Sequence, residues 1–382
     1  MPADPLDVAV VGAGPVGAVA AALCARGGRR VEVFEARAAP ATDARTLALS
    51  HASRELIESV GGWPRSGTAP IEAIHVSQKG APGRTLLSAS DQGLPALGYT
   101  VGFGALTGAL AEALARDGVA VRYGAACEQI ALDREGATLR FASGGEARAR
   151  LIVLADGGAN ATKIAGIAFH EKDYGQVAVV ARVATDRSHG GRAYERFTPQ
   201  GPVALLPVEG GYALVYTARP REAERLLGLD DASFLAALQE HFGDRAGRFT
   251  SVEARASFPL RLRAINVPVA LRTAIVGNAA QALHPIAGQG LNLGLRDAAT
   301  LADLVQAAPG DAIGAPAMLQ AYAGARRRDA SRGIAFTDFL ASVFAEGSLA
   351  PSWGRGLALT LLDVLPPARR ALAQRMIHGA AR

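Results

Sequence analysis

A short apolar run, Val8-Ala9-Val10-Val11, ends directly on Gly12-Ala13-Gly14-Pro15-Val16-Gly17. Val16, Val19, Ala20 and Leu23 then recur at helical spacing until Gly27-Gly28, and a second β-rich run, 31–34, closes on Glu35. This order, strand, glycine turn, helix, strand, is the context that gives a G-x-G-x-x-G pattern its meaning. Gly12 permits the tight turn, Gly14 lets backbone amides approach a pyrophosphate, and Gly17 lets helix and strand pack closely. The helix N-terminus adds partial positive charge. Glu35 stands where a carboxylate accepts hydrogen bonds from ribose hydroxyls. The alternative is a glycine turn without a ligand, and the pattern alone does not separate NAD from FAD.

The rest of the chain must be consistent with that start. Its 382 residues suggest about two domains or one large split one. Apolar residues make up 49% and charged residues 20%, which excludes a disordered chain. Cys24 and Cys127 match neither a disulfide framework nor a zinc site, so no metal is expected. No run approaches the ~20 apolar residues of a membrane-spanning helix. The acidic N-terminal stretch does not read as a signal peptide. The formal charge of +5 raises nucleic acid as a partner, but the arginines are scattered and exclude it. Local basic clusters remain at 326–328 and at Arg369-Arg370.

Leu106, Leu110 and Leu114 predict a helix that stops at Gly118. Strand-like runs flank the middle at 119–123 and 151–155. From about 170 to 262 several β-rich runs alternate with Gly, Pro and charged turns, which predicts a mostly antiparallel sheet. The run 274–277 resumes the style of a buried parallel strand, and from 291 the pattern is helical to the end, broken by prolines. The fold class is therefore α/β, with a Rossmann-like domain split around a second sheet and followed by a helical region.

A second strand–loop–helix signal lies at 277–292, from Gly277-Asn278 through His284-Pro285 to Gly288-Gln289-Gly290-Leu291-Asn292. Glycines there expose backbone amides at a helix start, suited to a ring carbonyl or a developing negative charge. Two such signals far apart in sequence point to one long dinucleotide lying between both.

These residues resemble the flavoprotein aromatic hydroxylases, the class A FAD monooxygenases of the p-hydroxybenzoate hydroxylase fold. Within them the chain is most similar to the hydroxylases of ubiquinone biosynthesis, especially the 2-octaprenyl-6-methoxyphenol hydroxylase type. The resemblance covers nearly the whole chain. It is carried by VAVVGAGPVG at the start, DARTLALSHAS at 43–53, LPALGY at 94–99, ADG at 155–157, ERFTPQGPVALLP at 195–207 and GNAAQALHPIAGQGLNLGLRD at 277–297.

The resemblance implies FAD as cofactor and NAD(P)H as a transient electron donor without a domain of its own. FAD contacts fall on Gly12, Gly14, Pro15, Val16, Gly17, Glu35, Ala36, Arg45, Asp156, Gly157, Gly277, Asn278, Pro285, Gly288, Gln289, Gly290, Leu291 and Asn292. Pro285 and His284 sit where the flavin ring reacts, with a loop brace as the other reading of His284. Tyr216 is the candidate substrate contact, against a packing role. FAD-binding segments are expected at 1–70, 94–168 and 265–310, substrate-domain segments at 71–93 and 169–264, and a helical region at 311–382. The implied reaction is hydroxylation of a phenolic ring by molecular oxygen through a C4a-hydroperoxyflavin. A polyprenyl phenol is the expected substrate. The alternatives are a soluble aromatic compound or a weakly active flavin-binding assembly subunit.

The chain departs from the family pattern in places. Asn278 replaces the wider family's Asp, Asn160 and Lys163 replace Ser and Arg of the second fingerprint, and Val101-Gly102-Phe103-Gly104 stands where polar residues are common. Apolar helices near 334–345 and 357–365, with Arg369 and Arg370 beyond, suit a peripheral contact with an anionic membrane, or else internal packing. Expected localisation is cytoplasmic and peripheral to the inner membrane, as a homo-oligomer or within a biosynthetic complex.

Overall fold

The computed structural model describes residues 5–40, 45–80, 82–283, 288–343 and 352–379. The chain opens with β1 (Leu6–Val11), α1 (Pro15–Arg26) and β2 (Val31–Glu35). Next come β3 (Thr46–Ser50), α2 (His51–Ser59), β4 (Thr68–Ile71), β5 (Ala73–Gln78), β6 (Arg84–Ser88), β7 (Gly98–Gly102) and α3 (Phe103–Arg116). Four strands follow: β8 (Ala120–Tyr123), β9 (Cys127–Leu132), β10 (Ala137–Phe141) and β11 (Glu146–Leu154). The middle holds β12 (Phe169–Thr185), β13 (Arg192–Thr198), β14 (Gly201–Val208), β15 (Gly211–Ala218), α4 (Pro220–Gly228), α5 (Asp231–Phe242) and β16 (Phe249–Ile265). Three short strands, β17 (Val269–Ala270), β18 (Thr273–Ile275) and β19 (Gln281–Ala282), lead into α6 (Gln289–Ala307). The chain ends in α7 (Pro316–Val343), α8 (Ser352–Val364) and α9 (Pro366–His378).

The first sheet has the order β17-β18-β11-β1-β2-β8, with β9 and β10 extending β11 as an antiparallel meander. Its β18-β11-β1-β2-β8 core is parallel, and Val8, Ala9, Val10 and Val11 at its centre are buried on both faces. That is why the run is continuously apolar rather than alternating. Helices α1, α3 and α6 cover one face, where Val19, Leu110 and Leu301 share a core; the meander closes the other.

The second sheet runs β19-β16-β12-β15-β14-β13-β5-β6 and is antiparallel except where β13 meets β5. Its strands alternate, as a sheet with two different faces must. One face buries Tyr194, Tyr212 and Tyr216 against Phe234 and Phe242 of α5. The other face carries Ile74, Val76, Ala204 and Val215, which line a cavity. The small β3-β7-β4 sheet lies in the same region, with Thr100 of β7 donating to the Pro207 carbonyl at 2.5 Å.

Helices α8 and α9 pack on the free edge of the second sheet. Thr85 Oγ donates to the Leu359 carbonyl at 2.7 Å and the Leu86 amide to Asp363 at 2.9 Å. Ile377 of α9 joins Leu87 and Leu97 in a small core. Arg369 is paired with Asp91 at 3.0 Å and donates to the Asp363 carbonyl, so its charge is used internally. Arg326 of the other basic cluster is also internal, only 4% exposed. The 334–345 stretch forms the end of α7 up to Val343, and residues 344–345 lie outside the described residues. Among the described residues no helix is long and apolar enough to cross a membrane.

Candidate functional site

The first glycine turn is dictated by its sterics. Gly12 has φ +104°, and a Cβ there would lie 2.7 Å from the Ala155 carbonyl oxygen. Such a conformation favours glycine. A Cβ on Gly17 would collide with the Gly12 carbonyl, so α1 rests directly on the turn. Over Gly14 there is open space instead. No side chain caps α1 and its first turn carries no acid, so its amide donors remain available to an anion.

Glu35 closes β2 beside this turn. Its carboxylate accepts from the Ala13 amide at 2.8 Å and from the Arg37 amide and Nε, both at 2.9 Å. Burial pushes the carboxyl up, but these donors outweigh it and hold the group below the ordinary carboxylate value.

The second signal converges on the same place. After β18, Gly277 turns at φ +61° against Val16 of α1. A Cβ on Gly294 would stand 2.8 Å from both Gly277 Cα and Val16 Cγ2, so α6 crosses α1 at a distance only glycine allows. Gly288, at φ +59°, precedes α6, which also starts without a side-chain cap or an acid in its first turn. Asn292 fastens this start. Its Oδ1 accepts the Ser50 amide at 2.9 Å, and its Nδ2 donates to the Gly288 and Ala48 carbonyls. Asp297, only 2% exposed, ties down the preceding loop. It accepts from the Gly277 amide at 3.0 Å, Gln281 Nε2 at 2.6 Å and Arg326 Nε at 2.6 Å.

A third loop follows β11. Asp156 accepts from the Gly158 amide, the Asn160 amide and Asn160 Nδ2 at 2.6–2.9 Å, so its carboxylate braces its own turn. Asn160 Oδ1 is buried with no donor among the described residues. Lys163 donates to the Cys127 carbonyl at 2.9 Å. Arg45 lies 5.0 Å from the Phe103 ring, so the departure at 101–104 supplies a cation–π partner for it.

These three loops open on one cavity of about 840 Å³. Gly12, Gly14, Pro15, Val16, Glu35, Ala36, Arg45, Asp156, Gly157, Asn278, Gly288, Gln289, Gly290, Leu291 and Asn292 all line it. Gly17 and Gly277 stand behind the lining as packing glycines. His284 and Pro285 lie outside the described residues. The cavity continues between Ile74, Val76, Leu206 and Val215 of the second sheet and Leu359, Leu362 and Met376 of α8 and α9.

Tyr216 is not brought to this cavity. It is on the opposite face of β15, its ring 4.7 Å from His241, and Tyr212 is on that face too. Val215 meets the cavity in its place. Sequence reasoning assigned no role to Asp297 or Gly294, nor to Glu195, which also lines the cavity. Glu195 had a readable signal, an acid alternating with Ala193 and Phe197 on a strand. Among the described residues there is no cluster of His, Cys, Asp and Glu suited to a metal ion.

The donor set fits a dinucleotide: two uncapped helix starts, the space over Gly14, a carboxylate at the end of β2 and the orphaned Asn160 oxygen. Residues 5–337 match the family of the FAD binding domain, and the chain belongs to this family, in its branch of FAD-dependent monooxygenases. FAD is its cofactor. The chain is 36% identical to ubiquinone hydroxylase UbiL of Rhodospirillum rubrum, over 95% of this chain and 87% of that protein. It is 34% identical to 3-demethoxyubiquinol 3-hydroxylase of Escherichia coli, over 79% and 80%. Its fold is that of p-nitrophenol 4-monooxygenase PnpA from Pseudomonas putida, with TM-score 0.77, 19% identity and 98% of each chain covered.

Proposed function

We propose that the protein hydroxylates the ring of a polyprenyl phenol in ubiquinone biosynthesis, using oxygen and electrons from NAD(P)H. Bound FAD supplies electron uptake and oxygen activation. The amides at the start of α1, around Gly14, would hold its pyrophosphate, with the Arg45 guanidinium beside it. Glu35 would take the adenosine ribose. The amides from Gly288 to Leu291 at the start of α6 would face the flavin ring, stabilising negative charge there. Asn292 and Asp297 keep that helix start in place, and Gly294 lets it approach α1.

The observation that carries this reading is the continuity of one cavity, polar at the two helix starts and apolar between the second sheet and α8–α9. The apolar half suits a ring with a hydrocarbon tail and keeps water from the reacting centre. Helix α8 is apolar on both sides. Leu359 and Leu362 face the cavity, whereas Trp353, Leu357, Leu361 and Val364 are 47–69% exposed on the outside. Such an exposed stripe beside the cavity suits contact with a lipid surface, from which a prenylated substrate enters.

The test is the quinone profile of a strain lacking the gene. Loss of ubiquinone with one under-hydroxylated intermediate accumulating is the expected result. An unchanged profile would replace the prenylated substrate with a soluble aromatic one.

A further inference from the structure

Among the described residues, the apolar half of the cavity contains one carboxylate. On β13, Ala193, Glu195 and Phe197 line the cavity, while Tyr194 packs on Tyr212 and Phe242 on the other side of the sheet. Backbone register sets Glu195 in a cross-strand row of Thr85, Val76, Glu195, Ala204, Val215 and Val180. Glu195 is the only ionisable residue of that row. Facing it across the cavity, α8 and α9 present Leu359, Leu362, Leu372, Met376 and Ile377, none of which titrates. The other ionisable groups on the lining are Tyr194, whose ring packs on Tyr212 and Phe242, Glu35 and Arg37 at the end of β2, Arg45 before β3, Cys127 at the start of β9 and Asp156 after β11. His75 of β5 turns its ring to Tyr194, on the far face. Among the described residues no cation or hydrogen-bond donor meets the Glu195 carboxyl.

Glu195 is part-buried, and a carboxylate set on an apolar wall loses hydration that no described partner returns, so it stabilises nothing in the fold. A hydroxylase of phenols, however, needs a group that takes the ring hydroxyl proton, because the phenolate is the stronger carbon nucleophile. We propose that Glu195 is the general base of the reaction, accepting the proton of the substrate's ring hydroxyl. The inference rests on the phenolic substrate proposed above. In this step the phenolic O–H bond breaks, its electron pair stays on oxygen and is delocalised into the ring, and the proton moves to a Glu195 oxygen. Water at the cavity mouth then takes the proton from Glu195. No oxidation or reduction occurs at the carboxylate.

Burial pushes the Glu195 carboxyl up to about 7. A base is most useful when its pKa lies near the working pH, being ionised often enough and basic enough at once. Below about pH 7 Glu195 holds its own proton and cannot act, and above it the carboxylate is free. The rate should therefore rise with pH through that point and then level off.

The experiment compares the flavin-loaded wild type, Glu195→Gln and Glu195→Asp with the prenylated phenol that the wild type turns over. Wild-type kcat/KM rises through about pH 7. Glu195→Gln lowers kcat by about 10²–10⁴-fold, the usual contribution of a general base, and its profile loses the acidic limb. Glu195→Asp keeps the limb and recovers part of the rate, which a packing role would not produce. Infrared difference spectra across the same pH range give a second readout independent of turnover. A protonated-carboxyl band should disappear near pH 7 in the wild type and be missing in Glu195→Gln. An active wild type with Glu195→Gln within about threefold of it and the same pH limb overturns the role of Glu195 alone. A wild type that binds FAD but hydroxylates no phenol overturns the assigned reaction, and this role with it.

Discussion

Replacing Asp297 by alanine should loosen the 277–281 loop and the packing of α6 and α7 on it, and so destabilise the fold. The carboxylate and its Arg326 partner are 2% and 4% exposed, 2.6 Å apart. Breaking a buried pair by removing one partner costs about 3–5 kcal/mol, because a charge is left uncompensated. Arg326 retains Asp329 at 2.7 Å, which favours the lower end. The Gly277 amide, left without its acceptor, adds about 1 kcal/mol. The sum is about 4 kcal/mol. At roughly 2–4 °C per kcal/mol in domains of 150–250 residues, that is a fall in Tm of about 8 °C or more. The assay is thermal unfolding of the flavin-free protein, so that ligand binding does not mask the loss. The combination Asp297→Ala with Arg326→Met should be milder than Asp297→Ala alone by about 1 kcal/mol or more, since both charges are gone and Asp329 keeps Arg296 at 2.7 Å. A single Asp297→Ala protein that melts within about 2 °C of wild type would contradict this, as would a double variant worse than the sum of the two singles.

Three further outcomes are expected. Gly14→Val should leave the flavin-free Tm nearly unchanged, because a Cβ there meets nothing and φ −67°, ψ 172° suits valine, yet lower FAD affinity at least about tenfold by occupying the space for phosphate; equilibrium titration with FAD reads it. The Glu35 carboxyl is held below its ordinary value, so the unfolded chain takes up its proton first as pH falls, and the stability Glu35 contributes is full above about 4.3 and lost below it. The Tm gap between wild type and Glu35→Gln should accordingly be widest near neutrality and close in acid; a gap constant from pH 7 to 3 contradicts this. The wild type should sediment with phosphatidylglycerol/phosphatidylethanolamine vesicles, and Trp353→Ser with Leu357→Ser should remain in solution without loss of FAD.

The cofactor half of the fold was legible because local rules enforce it. The strand before Gly12 must be continuously apolar to lie mid-sheet, and Gly12, Gly14 and Gly17 each answer a steric demand visible in the spacing. The same logic located the 277–292 turn. The substrate half was less legible, for a definable reason. Period-2 alternation says that Tyr212, Tyr194 and Tyr216 share faces with their cross-strand neighbours, but not which face meets the cavity. That choice is made by α5, whose Phe234 and Phe242 take the tyrosine face and leave Val215 and Glu195 on the other. The pairing of Asp297 with Arg326 was not legible because 29 residues separate them in sequence, and a charged residue on an unaligned helix reads as solvated. Helix α8 left its two faces undecided: with apolar residues on both sides, its pattern does not say that Leu359 is inside and Leu361 outside.

If this cavity holds FAD and a prenylated phenol together, one atom of molecular oxygen is placed on the ring. The direct measurement is turnover of the purified flavoprotein with NAD(P)H and a prenylated phenol under ¹⁸O₂, followed by mass spectrometry of the product. One ¹⁸O atom should appear in the new ring hydroxyl, and none when the label is supplied as water. NAD(P)H consumption without labelled product, or a hydroxyl oxygen that comes from water, would contradict it.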